Sequence, residues 1–375
     1  MELNDQTSAA PATNEDKTTV KEIPFLALKG FLMGSADIVP GVSGGTMALI
    51  LGIYERLLNA IKSADTSFIK SFITFKWKTA FTQLHTLFLG TLFFGIFSAA
   101  AFFTKVVPLQ VYMFTHPEIV YGLFFGLIVG SIYILVKTLE RFSIKELISV
   151  VVGIGIGLWI IMLVPTDTPD HPAFVFLTGM IAISAMILPG ISGSYLLLIM
   201  RKYDFLLSNI SLIGTEDTFS AIINILPFTL GSLVGIALFS RFLSWLLAKF
   251  HSQTIAVLIG FLVGSLFVIW PFQHRQFIEQ VRETEWVATT APIVQELRER
   301  PNENLPEFER LGQLNHSGLI EVQTIKKKLL KSEPYIPGVI GDREGDAPNV
   351  WGGIIGMVLG VVLVGGLDKL RDTKG

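Results

Sequence analysis

A broken apolar stretch occurs twice in this chain, and the repetition limits the fold more than any other feature. In the first copy, residues 34–61, the apolar run is interrupted by Pro40-Gly41-Val42-Ser43-Gly44-Gly45. Proline lacks the amide donor that a helix interior needs, and glycine is conformationally loose. The run therefore predicts two half-helices meeting at a loop. The second copy lies 149 residues further on, where Ile187-Leu188-Pro189-Gly190-Ile191-Ser192-Gly193-Ser194 aligns with Ile38-Val39-Pro40-Gly41-Val42-Ser43-Gly44-Gly45. Register holds beyond the loop, pairing Leu49-Ile50 with Leu198-Ile199, Tyr54-Glu55 with Tyr203-Asp204 and Leu57-Leu58 with Leu206-Leu207. Paired Gly/Pro-interrupted segments in the two halves of a membrane chain point to a binding site of the kind transporters build.

The broken runs sit in a chain that is 51% hydrophobic and 16% charged, which excludes an ordinary soluble domain. A net charge of -2 gives no sign of a nucleic-acid partner, and the absence of cysteine excludes disulfides and thiolate metal sites. A spanning helix needs about 20 apolar residues. Full-length spans are expected near 86–107, 118–137, 146–164, 221–247, 253–272 and 350–367. The broken pieces, 23–61 and 173–212, each read as a re-entrant hairpin, tolerated at membrane depth because its non-helical tip faces protein or a wet cavity. A second internal match, Gly126–Tyr133 with Gly260–Phe267, extends the repeat. The expected fold is an all-α polytopic membrane protein with an inverted repeat, each half a re-entrant helical hairpin plus three transmembrane helices. Three is odd and a hairpin does not cross, so the second half enters the bilayer upside down.

Basic residues set the orientation. Lys62, Lys70, Lys76, Lys78, Lys137, Lys145, Arg241 and Lys249 fall in short segments on one side, whereas the short loops opposite hold essentially Lys105. By the positive-inside rule the first side is cytoplasmic, with both termini on it; a bacterial inner membrane is the expected location. Trp159, Trp270 and Trp351 then belong to the outer interface, and Trp77 and Trp245 to the inner one. Residues 1–20 read as a disordered cytoplasmic tail, 21–164 as the first membrane repeat, and 172–272 with 349–368 as the second. Residues 63–83 read as an amphipathic helix on the inner surface. The polar segment 273–348 is expected outside as a small helical cap, its Lys326-Lys327-Lys328 run either a solvated face or a lipid-headgroup contact.

If both hairpins reach the midplane, Pro40–Gly45 and Pro189–Ser194 face each other and the helices after them aim their N-termini at a shared point. Unpaired amides and positive dipole make such ends a ready anion site. Gly44, Gly45 and Gly193 allow close backbone approach, and Ser43, Thr46, Ser192 and Ser194 supply hydroxyls. The competing reading is that these small residues permit tight helix packing and capping. Arg201 is the candidate for a phosphate contact through its planar fork, or else it pairs with Glu55 or Asp204 to hold the hairpins together. Asp37 carries a coupling proton or cation, or caps loop amides. Glu55 is a second coupling candidate or an interfacial partner of Arg56. The six histidines fall at span ends or in the polar segment, and no HExxH, P-loop or nucleotide motif is present. No cofactor and no enzymatic activity are expected; a transporter of this kind would run on gradients.

At Gly34–Thr46 with Leu51-Gly52-Ile53-Tyr54-Glu55, and at Leu188–Ser194, the chain resembles a bacterial and archaeal family of polyprenyl-phosphate transporters, formerly a domain of unknown function. The resemblance covers about 23–272. It implies return of undecaprenyl phosphate, the lipid carrier of wall and surface glycans, from the outer to the cytoplasmic leaflet. Two rivals use the same tips. One is an ion-coupled carrier or channel for a small anion. The other is an undecaprenyl-pyrophosphate phosphatase, a family similar in its Pro-Gly-x-Ser motif but with an arginine after the serine, where this chain has Gly44 and Gly193.

Overall fold

A computed structural model describes residues 18–372, apart from 40–41, 140–141, 300–302, 304, 316–317 and 339–347. Most of the expected tail over 1–20 lies outside the described residues, as do Pro40 and Gly41 of the first loop.

After a single 3-10 turn, the chain forms α1 (Ile23–Asp37), α2 (Gly44–Ile50) and α3 (Tyr54–Lys62). The first broken run is thus three short helices, where the sequence predicts two. The extra break falls at Gly52, whose φ of 67° leaves the right-handed region. Two further short helices follow, α4 (Thr66–Ile73) and α5 (Trp77–Gln83). They replace the continuous amphipathic helix expected over 63–83. Phe75, with φ 56°, separates them, and Phe72, Phe75, Trp77 and Phe81 form an exposed aromatic cluster.

Next come α6 (Thr86–Lys105), the short α7 (Leu109–Thr115), α8 (Pro117–Thr138) and α9 (Ile144–Ile161). Their starts obey local rules. Pro117 opens α8, where a missing amide costs nothing, and a capping box begins α9, the Ser143 amide donating to the Glu146 carboxylate. The second broken run is α10 (Pro172–Ile187), α11 (Gly193–Ile199) and α12 (Lys202–Ser211). It repeats the first run at the same displacement, down to a left-handed residue, Arg201 with φ 51°, at the place of Gly52. Then follow α13 (Thr218–Lys249) and α14 (His251–Ile269).

Residues 273–348 correct the sequence expectation. They hold β1 (Gln273–Ala288), α15 (Pro292–Glu299), β2 (Glu307–Leu314) and β3 (Leu319–Pro334), an antiparallel sheet in the order β1-β3-β2 with one helix. The fold is therefore mostly helical with a small sheet, and the insert is not a helical cap. Lys327 stands opposite Glu279 in the β1–β3 register and lies over the Phe308 ring at 5.3 Å, which puts the lysine run in a paired strand. Trp270 donates to the Tyr335 carbonyl at 2.8 Å and packs on Phe125 and Phe272, so it fastens the sheet's base to the helical part. Finally α16 (Val350–Asp372) returns through the helical part.

Among the described residues, α6, α8, α9, α13 and α14 are long and apolar enough to cross a bilayer, while the apolar part of α16 and α10 are shorter. Exposed Phe93, Phe94 and Phe97 on α6, and Leu233 and Leu238 on α13, give the protein an apolar exterior. This is a membrane protein. Its helices pair closely: α1 lies along α6 and α10 along α13, while α8 lies along α16 and α9 along α14. A Cβ at Gly231 would stand 1.9 Å from the Phe176 carbonyl oxygen, and one at Gly95 2.2 Å from that of Ala27. Small residues at such crossings let backbones touch.

Candidate functional site

The two loops expected to face each other are bonded to one another. Thr46, at the start of α2 and wholly buried, accepts the Gly190 amide on its hydroxyl at 2.8 Å. Ser43 caps α2 by accepting from the Gly45 amide at 3.1 Å, and its hydroxyl donates to the Met186 carbonyl at 3.3 Å. Tyr54, opening α3, donates to the Ile187 carbonyl at 3.0 Å. So the last turn of α10 and the second loop rest on α2 and α3, and groups that local sequence would leave unpaired are satisfied across the repeat.

Asp37 ends α1 and turns back on the same loop, its carboxylate accepting the Gly44 amide at 2.6 Å. That is the amide-capping arrangement. Gly44 and Gly45 are buried: a Cβ on Gly44 would meet the Asp37 carboxylate at 2.5 Å, and one on Gly45 the Ile187 carbonyl oxygen at 2.7 Å. The second loop is more open. Ser192 caps α11 through the Tyr195 amide at 3.4 Å, and its hydroxyl lies 2.9 Å from that of exposed Ser194. Gly193 is buried, and a Cβ there would stand 2.4 Å from the Ala182 carbonyl oxygen. Gly190 has φ 82° and packs its backbone against Phe261. Of the predicted site residues, Ser43, Gly44, Gly45 and Thr46 are thus enclosed by protein, while the Ser192 and Ser194 hydroxyls are the accessible pair.

Arg201 stands apart from the loops. It lies beyond α11, a seven-residue helix of about 10 Å, in the break before α12. Its guanidinium pairs with Asp167 at 2.9 Å, both side chains being well exposed, so the expected link to Glu55 or Asp204 is not the ion pair it makes. Glu55 instead meets His251 Nε2 at 3.2 Å. The neighbouring Lys202 is 2% exposed; it pairs with Asp170 and donates to the Thr168 carbonyl at 2.9 Å, between the rings of Phe174 and Phe205.

These contacts define a strap that sequence reasoning missed. Residues 166–170, between α9 and α10, cover the end of α11: the Thr166 amide donates to the Ile199 carbonyl and the Thr168 hydroxyl to that of Met200. At the matching end of α2, Lys29 donates to the Leu51 carbonyl at 2.8 Å. In the first half a lysine thus caps the C-terminal end of a short interrupted helix, where the dipole is negative, and in the second half the Thr166 amide and the Thr168 hydroxyl take that place. The signal for the strap was the pair Asp167 and Asp170 in a short apolar-flanked loop, with Arg201 and Lys202 needing partners.

A polytopic helical membrane protein whose polar centre is made by two interrupted helical segments, joined loop to loop, is the class that these contacts define. Within that class, the chain belongs to the undecaprenyl phosphate translocase-like family, whose sequence profile matches residues 33–287. It is 38% identical over 247 residues to a polyprenyl-phosphate transporter of Vibrio cholerae serotype O1, covering 66% of this chain and 77% of that one. It is 34% identical over 257 residues to a polyprenyl-phosphate transporter of Staphylococcus aureus, covering 65% of this chain and 85% of that one. No solved structure matches the chain.

Proposed function

We propose that this protein carries undecaprenyl phosphate, or a close polyprenyl phosphate, from the outer to the cytoplasmic leaflet of a bacterial inner membrane for reuse in glycan synthesis. The observation that carries the reading is the direct bonding of the two interrupted segments, Gly190 to Thr46 and Ser43 to Met186, inside an apolar helical body. Family membership and the two transporter relatives support the substrate class.

In this reading α1–α3 and α10–α12 are re-entrant hairpins of an inverted repeat. The pairing of helices fits. Matching the two halves in chain order makes α8 correspond to α14 and α9 to α16, and the contact of α8 with α16 then mirrors that of α14 with α9. The second hairpin opens outward, so Arg201 meets the phosphate first, exchanging its exposed Asp167 partner for the headgroup. The Ser192 and Ser194 hydroxyls and the α11 amides receive it next. The first hairpin, with Ser43, Gly44, Gly45 and Thr46, hands it to the cytoplasmic side. Asp37 and Glu55 are the coupling candidates, for a proton or another cation; protonating Asp37 would weaken its hold on the Gly44 amide and free that loop.

Leaflet-resolved labelling of undecaprenyl phosphate in cells with and without the protein tests this. Outer-leaflet label should accumulate when the protein is removed and clear when it returns. An unchanged leaflet ratio would count against the reading.

A further inference from the structure

The second loop adjoins a cavity that the polar groups above do not use. A space of about 420 Å³ lies between α13, α14 and Leu188, walled by Phe239, Phe242, Phe250, Val257 and Phe261 among others. Its accessible lining is carbon throughout, because the two polar residues on it point their polar atoms elsewhere. Gln253 donates to Glu146 at 3.1 Å, and the Thr254 hydroxyl bonds its own helix at the Phe250 carbonyl. Phe242 and Phe250 are exposed, so the cavity opens sideways.

Its inner end is continuous with the loop. Leu188 lines it, and Phe261, on the opposite wall, is the residue against which Gly190 packs. Leu188 precedes Ser192 by four residues, at most about 14 Å of chain. The repeat is asymmetric here: Val39, which corresponds to Leu188, is 1% exposed and closed in by protein. Leu188 lines an apolar groove, whereas Val39, at the corresponding position, is enclosed.

We propose that this groove holds the headgroup-proximal isoprene units of a polyprenyl phosphate whose phosphate lies at the Ser192–Ser194 loop. The inference rests on the transport reading above and adds the subsite that selects the chain. A phosphate ester places its chain next to the phosphate, so a ligand held by the loop hydroxyls must send its first isoprenes along one of the loop's walls. The groove is the apolar wall that adjoins this loop. Its aromatic and branched aliphatic sides suit an apolar, methyl-branched chain.

The test is binding of purified protein in detergent to farnesyl phosphate, isopentenyl phosphate and dioleoyl phosphatidic acid, comparing wild type with Leu246→Trp, which fills the groove from α13. Leu238→Trp, on the exposed face of the same helix, is the control. Losing contact with about two methylene-sized groups predicts roughly tenfold weaker farnesyl phosphate binding in Leu246→Trp. Isopentenyl phosphate, with a single isoprene, should lose less than farnesyl phosphate does, and phosphatidic acid should bind it as it binds wild type. Phe242→Ala, at the exposed rim, should weaken farnesyl phosphate in the same direction should Leu246→Trp prove unstable. Equal farnesyl phosphate binding by wild type and both groove variants overturns the subsite, and an equal loss for phosphatidic acid makes it a general acyl-chain groove. If wild type binds neither prenyl phosphate, the transport reading falls and the groove with it.

Discussion

Thr46 has no exposed surface, and its hydroxyl is the acceptor for the Gly190 amide. Valine at 46 preserves the shape and removes the acceptor, leaving a buried amide that costs about 1–3 kcal/mol. Thr46→Val should therefore lower the thermal midpoint of the detergent-solubilised protein while Thr46→Ser keeps it. Arg201 and Lys202 are adjacent yet should behave oppositely. The Arg201–Asp167 pair is exposed, and such pairs contribute about 0–1 kcal/mol. Arg201→Ala should leave membrane abundance unchanged, and Arg201→Lys should also lose much of the leaflet activity, since an ammonium lacks the bidentate fork. Lys202 is buried, so Asp170→Ala should cost more stability than Asp167→Ala, because it strips a partner from an enclosed charge. Equal abundance in the two aspartate variants would refute that distinction. The residues of both loops are legible in sequence because Pro-Gly-x-Ser carries its own break and cap. Their partners are not, since Thr46 and Gly190 are 144 positions apart and no local rule links them.

At the scale of elements, the packing of interrupted segments against full spans depends on backbone contact. Gly90 and Gly95 lie on the same helix, α6, but a Cβ at Gly90 meets nothing within 4 Å, whereas one at Gly95 meets the Ala27 carbonyl oxygen at 2.2 Å and the Phe31 amide nitrogen at 2.7 Å. Gly95→Ala should thus destabilise the protein by about 1–3 kcal/mol through overpacking, while Gly90→Ala is tolerated; thermal denaturation of the two variants in one detergent measures the difference. The same contacts temper any functional use of the loop glycines. A side chain at Gly193 would collide with the Ala182 carbonyl whether or not a phosphate binds, so loss of transport in Gly193→Val does not by itself report on a ligand. Helix existence was readable from apolar runs of span length. The sheet was not: β1 is charged and mostly exposed, with Arg282-Glu283-Thr284-Glu285 showing no apolar alternation, and its pairing with β3 joins charged residues such as Glu279 and Lys327 across a long sequence gap. The second break at Arg201 escapes notice because arginine gives no sign of a left-handed backbone, whereas Gly52, at the matching place, is a residue that admits one.

For the whole molecule, the decisive property is which side each polar segment occupies. The inverted reading makes α1–α3 and α4–α5 cytoplasmic in their polar parts and puts the β1-β3-β2 sheet outside, because five spans, an odd number (α6, α8, α9, α13 and α14), separate the basic α4–α5 segment from it. The chain has no cysteine, so single introduced thiols report without background. Ser67, at the exposed start of α4, and Gln313, exposed on β2, are suitable positions because neither side chain is enclosed. In intact cells an impermeant thiol reagent should label Gln313→Cys and leave Ser67→Cys unmodified, with Ser67→Cys becoming reactive once the membrane is opened. If α10–α12 crossed the bilayer, it would add one passage before α13 and move the sheet to the same side as α4; if α1–α3 crossed instead, α4 would lie outside and the sheet inside. Labelling of Ser67→Cys from outside, or protection of Gln313→Cys in cells, would therefore mean that one interrupted segment spans the membrane, and the inverted repeat would have to be abandoned even though both loops remain bonded to each other.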